Sequence, residues 1–235
     1  MKNYSASLRP CLGRRFECVA RFHRGFCSAL LLAVGLAFAL GGAGVSVARA
    51  QVVFNEGSMG DFSNSGLAPT FVSVNAGSNL IFGTTGRGAA GIDRDYFTIT
   101  IPTGFAFTAL LELPGTTVGG PVSFLGLQAG SQVTLPTNAA TATGLLGWTH
   151  YGSAVVATNL FPTMSIPLNG SSGFTAPLGA GSYSFWVQDF NTGSFNYGFD
   201  VQVTAVPEPS TYAAAGSALL LMLVLRRRFA KSGRV

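Results

Sequence analysis

Between residues 51 and 206 the apolar positions come in short bursts, and nowhere do they recur every three or four residues for as long as an amphipathic helix needs. Two bursts alternate. Tyr96, Thr98 and Thr100 interleave with Phe97, Ile99 and Ile101, while Tyr183, Phe185 and Val187 interleave with Ser182, Ser184, Trp186 and Gln188. A period of two sends successive side chains to opposite sides of an extended chain, so each burst reads as a strand with one buried face. Segments rich in β-branched and aromatic residues stand at 71–74, 79–82, 95–101, 105–111, 122–127, 154–157, 164–166, 182–189 and 197–204, divided by Gly, Pro, Asn and Ser. Short strands at this spacing predict an all-β fold, a two-sheet antiparallel sandwich.

The two ends depart from this pattern. A basic leader runs to Arg24, an uncharged apolar run fills 25–47, and Ala48-Arg49-Ala50 places small residues at the positions a signal peptidase reads. Residues 1–50 are therefore expected to be a secretory signal helix cleaved after Ala50, with Ala48 and Ala50 as the cleavage determinants. The pair Arg14-Arg15 lies ten residues before the apolar run and reads as part of the leader. At the other end Pro207-Glu208-Pro209 ends any regular element, because each proline lacks a backbone donor and restricts the residue before it. An apolar run at 212–225 and a basic tail at 226–235 follow. The run is short for a bilayer core; Ser210 and Thr211 extend it and the arginines can snorkel, so a short transmembrane helix is expected, with Arg226, Arg227 and Arg228 kept on the cytoplasmic side. The expected domains are 1–50, 51–205 and 206–235.

Charge sharpens this division. The chain has 14 Lys and Arg against 9 Asp and Glu, a formal charge of +5 that would ordinarily suggest nucleic acid or an anionic membrane. Almost all the basic residues sit in the two ends. Residues 51–206 keep Arg87 and Arg94 against Glu56, Asp61, Asp93, Asp95, Glu112, Asp189 and Asp200, so the middle is acidic and no nucleic acid is expected as a partner. All three cysteines, Cys11, Cys18 and Cys27, fall in the leader. A middle domain without them must be held by its core, which a chain of this size can supply.

The tail, with Pro207-Glu208-Pro209 ahead of an apolar run and an arginine cluster, resembles the PEP-CTERM family of bacterial surface proteins. An ordinary membrane anchor would account for the run and the arginines but not for the tripeptide. The resemblance implies processing by an exosortase, a membrane-embedded transpeptidase-like enzyme, with Pro207, Glu208 and Pro209 as recognition residues. The inner membrane would hold the intermediate, and the cell surface or extracellular matrix would be the destination. Such tails are carried by unrelated passengers, some described as ice-binding, so the tail is an address and not an activity.

A second resemblance lies in the middle. Asp93-Arg94-Asp95-Tyr96-Phe97, leading to Pro102-Thr103-Gly104, and the later Gly181-Ser182-Tyr183 are similar to bacterial pre-peptidase C-terminal domains. That likeness implies a jelly-roll-like antiparallel β-sandwich used in adhesion, substrate binding or export rather than catalysis, with calcium bound in some members.

Candidate chemistry is sparse. After the leader only His150 remains, with no Gly-x-Ser-x-Gly elbow, so a Ser-His-Asp triad has one histidine to draw on and reads less well than a surface histidine. One histidine without cysteine cannot make the usual zinc site. Gly86, Gly88 and Gly91 match the spacing of a dinucleotide fingerprint, but a strand follows instead of a helix, so a hairpin loop is expected. Asp93 and Asp95, two apart at a strand entrance, could bind calcium with Asp61 or a carbonyl; alternatively Asp95 pairs with Arg94 or Arg87. Trp148, Tyr151, Trp186, Phe190, Phe195 and Tyr197 could pack in the core or form a sugar-binding face. Thr98 and Thr100 belong to no extended threonine repeat, which argues against ice binding. The expected function is an exported, non-enzymatic surface protein without a cofactor. The alternative is an adhesin binding calcium or extracellular polysaccharide, and an enzyme would have to use Asp93, Asp95 or Glu112.

Overall fold

The computed structural model describes residues 49–121, 123–152, 156–207 and 209–232, and within the last helix the side chains of 216–227. The expected signal segment through Ala48, the core of the expected strand at 154–157, and Glu208 lie outside the described residues.

Among the described residues nine strands and three helices follow in order: β1 (Gln51–Asn55), α1 (Glu56–Met59), β2 (Thr70–Val72), β3 (Gly77–Gly88), β4 (Gly91–Ile101), β5 (Phe105–Glu112), β6 (Ser123–Ala129), β7 (Gly147–Tyr151), α2 (Phe161–Met164), β8 (Gly181–Gln188), β9 (Gly193–Ala205) and α3 (Pro209–Ser232). The fold is all-β and mostly antiparallel, with the strand order β5-β9-β3-β4-β8-β6-β7. Glycine-rich 86–91 closes the β3–β4 hairpin, where Gly86, Arg87 and Gly88 face Asp93, Ile92 and Gly91. This is the hairpin the sequence predicts in place of a nucleotide loop. Beyond its closed end the two strands part. β3 continues against β9, and β4 continues against β8 from Arg94↔Gln188 to Ile101↔Gly181. Each strand also takes a short parallel partner, β1 on β3 and β2 on β4.

The parting opens one core. Ile81, Phe97, Ile99, Phe107, Leu110, Leu125, Phe185, Phe199 and Val201 are fully buried, drawn from both sides of the hairpin. Their side chains are the apolar sets of alternating strands, as the period of two requires. β4 and β8 differ from the expectation of one buried face. Tyr96 and Trp186, on their other side, are covered by Val133, Ala142 and Leu145 from the long β6–β7 connection, which makes a second small core.

Two expected strands are not found as written. Of residues 164–166, Met164 ends α2 and the next two lie just beyond it, because Pro162 suits a first helical turn and the three-residue spacing of Phe161 and Met164 sends both inward. Residues 156–157 form a turn in which Ala157 has φ 64. β1 and β7 are additional. β7 hides its alternation, since Gly147 and Tyr151 point inward with no bulky residue at 149 to mark the period. α3 carries the apolar run, and its leucines from Leu219 to Leu225 are exposed. Among the described residues no helix is long and apolar enough to cross a membrane.

Candidate functional site

The inner face of β4 begins polar and turns apolar: Asp93 and Asp95 precede Phe97, Ile99 and Ile101 on the same side of the strand. Asp95 is thereby drawn to 0 % exposure at the mouth of the core. Glu56 reaches it from a distant part of the chain. β1 lies parallel on β3 with Asn55 opposite Phe82, and the chain turns into α1 immediately after. Glu56 is then fixed by donors on both oxygens: Phe62 N–H to Oε1 at 3.0 Å, and Thr84 N–H and Oγ1–H to Oε2 at 2.6 and 3.1 Å. Asp61, exposed on the loop after α1, completes the group.

One carboxylate oxygen from each of Glu56, Asp61 and Asp95 lies within 4.8 Å of the others. Two ligand bonds of about 2.4 Å place oxygens on opposite sides of a calcium ion at most about 4.8 Å apart, so this spacing suits a shared hard cation. The donors suit it too, since all are carboxylates and each can bind through one or both oxygens. Neither oxygen of Asp95 has a hydrogen-bond partner. The Tyr197 hydroxyl, itself fully buried, lies against the Asp95 carboxylate and interacts with it, though at a geometry short of a well-formed hydrogen bond. Residue 83 must be glycine for that phenol to lie there, because a Cβ would sit 2.4 Å from the Tyr197 oxygen.

The electrostatics follow from this crowding. Burial, then the charge of Glu56 and those of Asp93 and Asp61, pushes Asp95 up to about 9. Burial raises Glu56, with Asp61 adding to it, and burial followed by Asp61 raises Asp93. At neutral pH, without a cation, Asp95 is therefore the neutral acid, and a bound divalent ion would exchange for its proton.

This arrangement revises the expected site. Asp95 belongs to it. Asp93 is outside the converging group and instead accepts a hydrogen bond from Asn64 Nδ2 at 3.3 Å. Asp95 pairs with neither arginine, because Arg94 points to the opposite face of β4 and donates to Gln188 Oε1, while Arg87 donates to the Phe190 carbonyl. Arg94 therefore does not oppose a cation on the inner face. Glu56 was not foreseen, since no local pattern announces a parallel pairing between β1 and β3. Pro207, separated from the end of β9 by Val206, is exposed; Pro209 opens α3, which contains Arg226 and Arg227, both exposed, and Arg228. Ala50 is exposed just before β1.

The remaining candidates separate by strand face. His150 is exposed on β7, its Nδ1 3.2 Å from the Ser123 carbonyl. Ser123 Oγ turns the other way and donates directly to Asp189 Oδ2 at 2.9 Å, so these three residues are wired differently from a catalytic triad. Glu112 is buried apart from the carboxylate group, one oxygen accepting the Gly152 N–H. Thr98 and Thr100 bond across to Ser184 and Ser182 at 2.6 and 3.0 Å, a cross-strand ladder rather than a flat array. Tyr151 and Tyr197 are core residues, whereas Trp148, Trp186 and Phe190 line a cleft on the outer face. The chain matches no protein-family profile and no curated protein.

Proposed function

We propose that this chain is an exported, non-enzymatic surface protein whose β-domain is a jelly-roll-like sandwich that binds calcium through Glu56, Asp61 and Asp95. The observation that carries the binding reading is Asp95, a fully buried carboxylate with both oxygens unpartnered, converging on two more carboxylates. Burying such a group is costly unless it is neutralised or coordinated. Glu56 is pre-oriented by three donors and Asp61 gives access from solvent, so the site combines a fixed floor with an open side. Calcium titrated into the purified chain by calorimetry tests this. Saturable binding, lost in Asp95→Asn and weakened in Asp61→Asn, is the expected result; no heat with wild-type protein at millimolar calcium would overturn it.

The destination is read from the tail. β9 ends at Ala205, and exposed Pro207 and the tripeptide come next, followed by a helix whose leucines pack against nothing in the described protein. Exposed apolar side chains in such a row suit a membrane or a membrane enzyme. This supports processing by an exosortase at Pro207-Glu208-Pro209, with Arg226 to Arg228 setting orientation and the cell surface or matrix as the end point. Replacing the tripeptide by alanines and fractionating the cells tests the address: accumulation in the inner membrane is expected, and unchanged surface delivery would contradict it.

A further inference from the structure

We infer that the outer face of the sheet carries a second binding site, a cleft for a neutral sugar ring. It does not depend on the cation site and shares no residue with it. Outward positions of a strand are ordinarily polar, yet Phe124 on β6, Trp148 on β7 and Trp186 on β8 stand together there. Gly126 lies opposite both tryptophans in the ladder, and with no side chain of its own it leaves room for the Phe124 ring, which a Cβ would meet at 3.0 Å. Phe124 stacks on Trp148 at 5.9 Å and meets Trp186 edge-on at 5.0 Å. The β6–β7 connection covers Trp186 but leaves Phe124 and Trp148 half-buried, and Phe190, on the rim, is 51 % exposed. The result is a cleft of about 280 Å³.

Its chemistry narrows the ligand. Among the described residues no charged side chain lines it, and Arg94 on the same face is engaged with Gln188 Oε1, which argues against an anionic or cationic ligand. Both indole N–H groups are already engaged, Trp148 with the Leu168 carbonyl at 3.0 Å and Trp186 with Gln188 Oε1 at 3.1 Å. Both rings are thereby pinned: Trp186, stacked on Tyr96, forms the buried floor, and the accessible aromatic surface is that of the half-buried Phe124 and Trp148 with Phe190 on the rim. Thr137, Thr141 and Asn169 supply hydroxyl and amide groups around the aromatic floor. A flat apolar face with a neutral hydrogen-bonding rim is complementary to a pyranose, whose C–H face packs on aromatic rings while its hydroxyls meet the rim. The volume is just below the usual range of small-molecule pockets, about 300 Å³ and up, as a single-ring subsite requires.

The chain's two tryptophans are Trp148 and Trp186, so intrinsic fluorescence reports this cleft directly. The full chain is titrated with glucose, N-acetylglucosamine and dextran, with alginate and an apolar peptide as contrasts, in EDTA and again in calcium. The expected result is a saturable emission change with at least one neutral saccharide in both buffers. Affinity should drop about tenfold in Phe190→Ala, an exposed position whose loss does not threaten the core, and by a similar factor in Trp148→Phe. No emission change with any neutral saccharide overturns the inference, as does binding confined to alginate or the peptide, or saccharide binding unchanged in both variants.

Discussion

Asn79 on β3 and Asp95 on β4 are equally shut off from solvent, each at 0 % exposure, and the protein treats them in opposite ways. The Asn79 amide donates to the carbonyls of Asn75, Gly77 and Val201 at 2.8, 3.1 and 3.0 Å, and its oxygen accepts from Asn75 N–H and Gln51 Nε2 at 2.8 and 3.2 Å. It fastens β1, the turn before β3 and β9 in a domain without cysteines. Asp95 fastens nothing. A buried polar group with every bond made specifies structure, whereas a buried acid with none must hold a proton or a cation. The difference sets a residue that ties strands together apart from one whose burial calls for a proton or a cation.

The sharpest way to break that contrast is pH. Asp95 is raised from the ordinary aspartate value near 4 to about 9, so the folded protein binds a proton that the unfolded chain releases above about pH 4. Stability is therefore undiminished below about pH 4 and falls as pH rises toward 9, at up to about 1.4 kcal/mol per unit. Glu56 and Asp93, also raised by burial, act in the same direction. Urea denaturation in EDTA should show a loss approaching 4 kcal/mol between pH 5 and 8, largely abolished in Asp95→Asn. A flat profile for the wild type would mean that Asp95 is not held as a neutral acid.

Asn79→Ala comes next in size. It removes three bonds to carbonyls and one from an N–H, of which the bond to the Val201 carbonyl is buried and the others lie nearer the surface, for a loss of about 3 kcal/mol with little dependence on pH. Thermal unfolding at pH 5 and pH 8 checks both halves of the statement, and a neutral effect would remove Asn79 from its structural role.

The sequence disclosed Asp95 and Glu56 unequally. Alternation of Phe97, Ile99 and Ile101 with their neighbours made β4 legible, and with it the inward direction of Asp95. The glycines at 86, 88 and 91 made the hairpin legible because a strand follows them. Glu56 was invisible, since what brings it to Asp95 is a parallel pairing of β1 with β3 that leaves no periodic mark in either segment. The second core under the β6–β7 connection was hidden for a similar reason. Whether Tyr96 and Trp186 face water depends on a loop whose course no local pattern encodes. Alternation reports which residues share a face; it does not report what lies over that face.

Calcium should convert the unpartnered acid into a partnered one. At free calcium 100-fold above Kd the folded state gains about 2.7 kcal/mol, seen as a raised unfolding midpoint at pH 7.5. Asp95→Asn should lose the gain, while Asn79→Ala, although less stable, should keep it. That crossover separates ligand from scaffold, and loss of the calcium response in Asn79→Ala alone would reverse the assignment.

The smallest effect tests the edge of the site. Asp93 shares a strand face with Asp95, so from spacing alone the two are equivalent; in the structure its carboxylate is turned to Asn64 and only its field reaches the group. Removing that charge in Asp93→Asn has two modest consequences. It reduces the attraction for a cation, and it makes the Asp95 proton slightly easier to remove, which partly offsets the first. The net change in calcium binding should stay below about 1 kcal/mol, the scale of a screened charge a few ångströms away, and thus within about fivefold. Calorimetry of the two aspartate variants side by side decides the point. If Asp93→Asn abolishes binding as completely as Asp95→Asn, the ion sits between the two β4 aspartates, and Glu56 is a structural cap for Phe62 and Thr84 instead of a ligand.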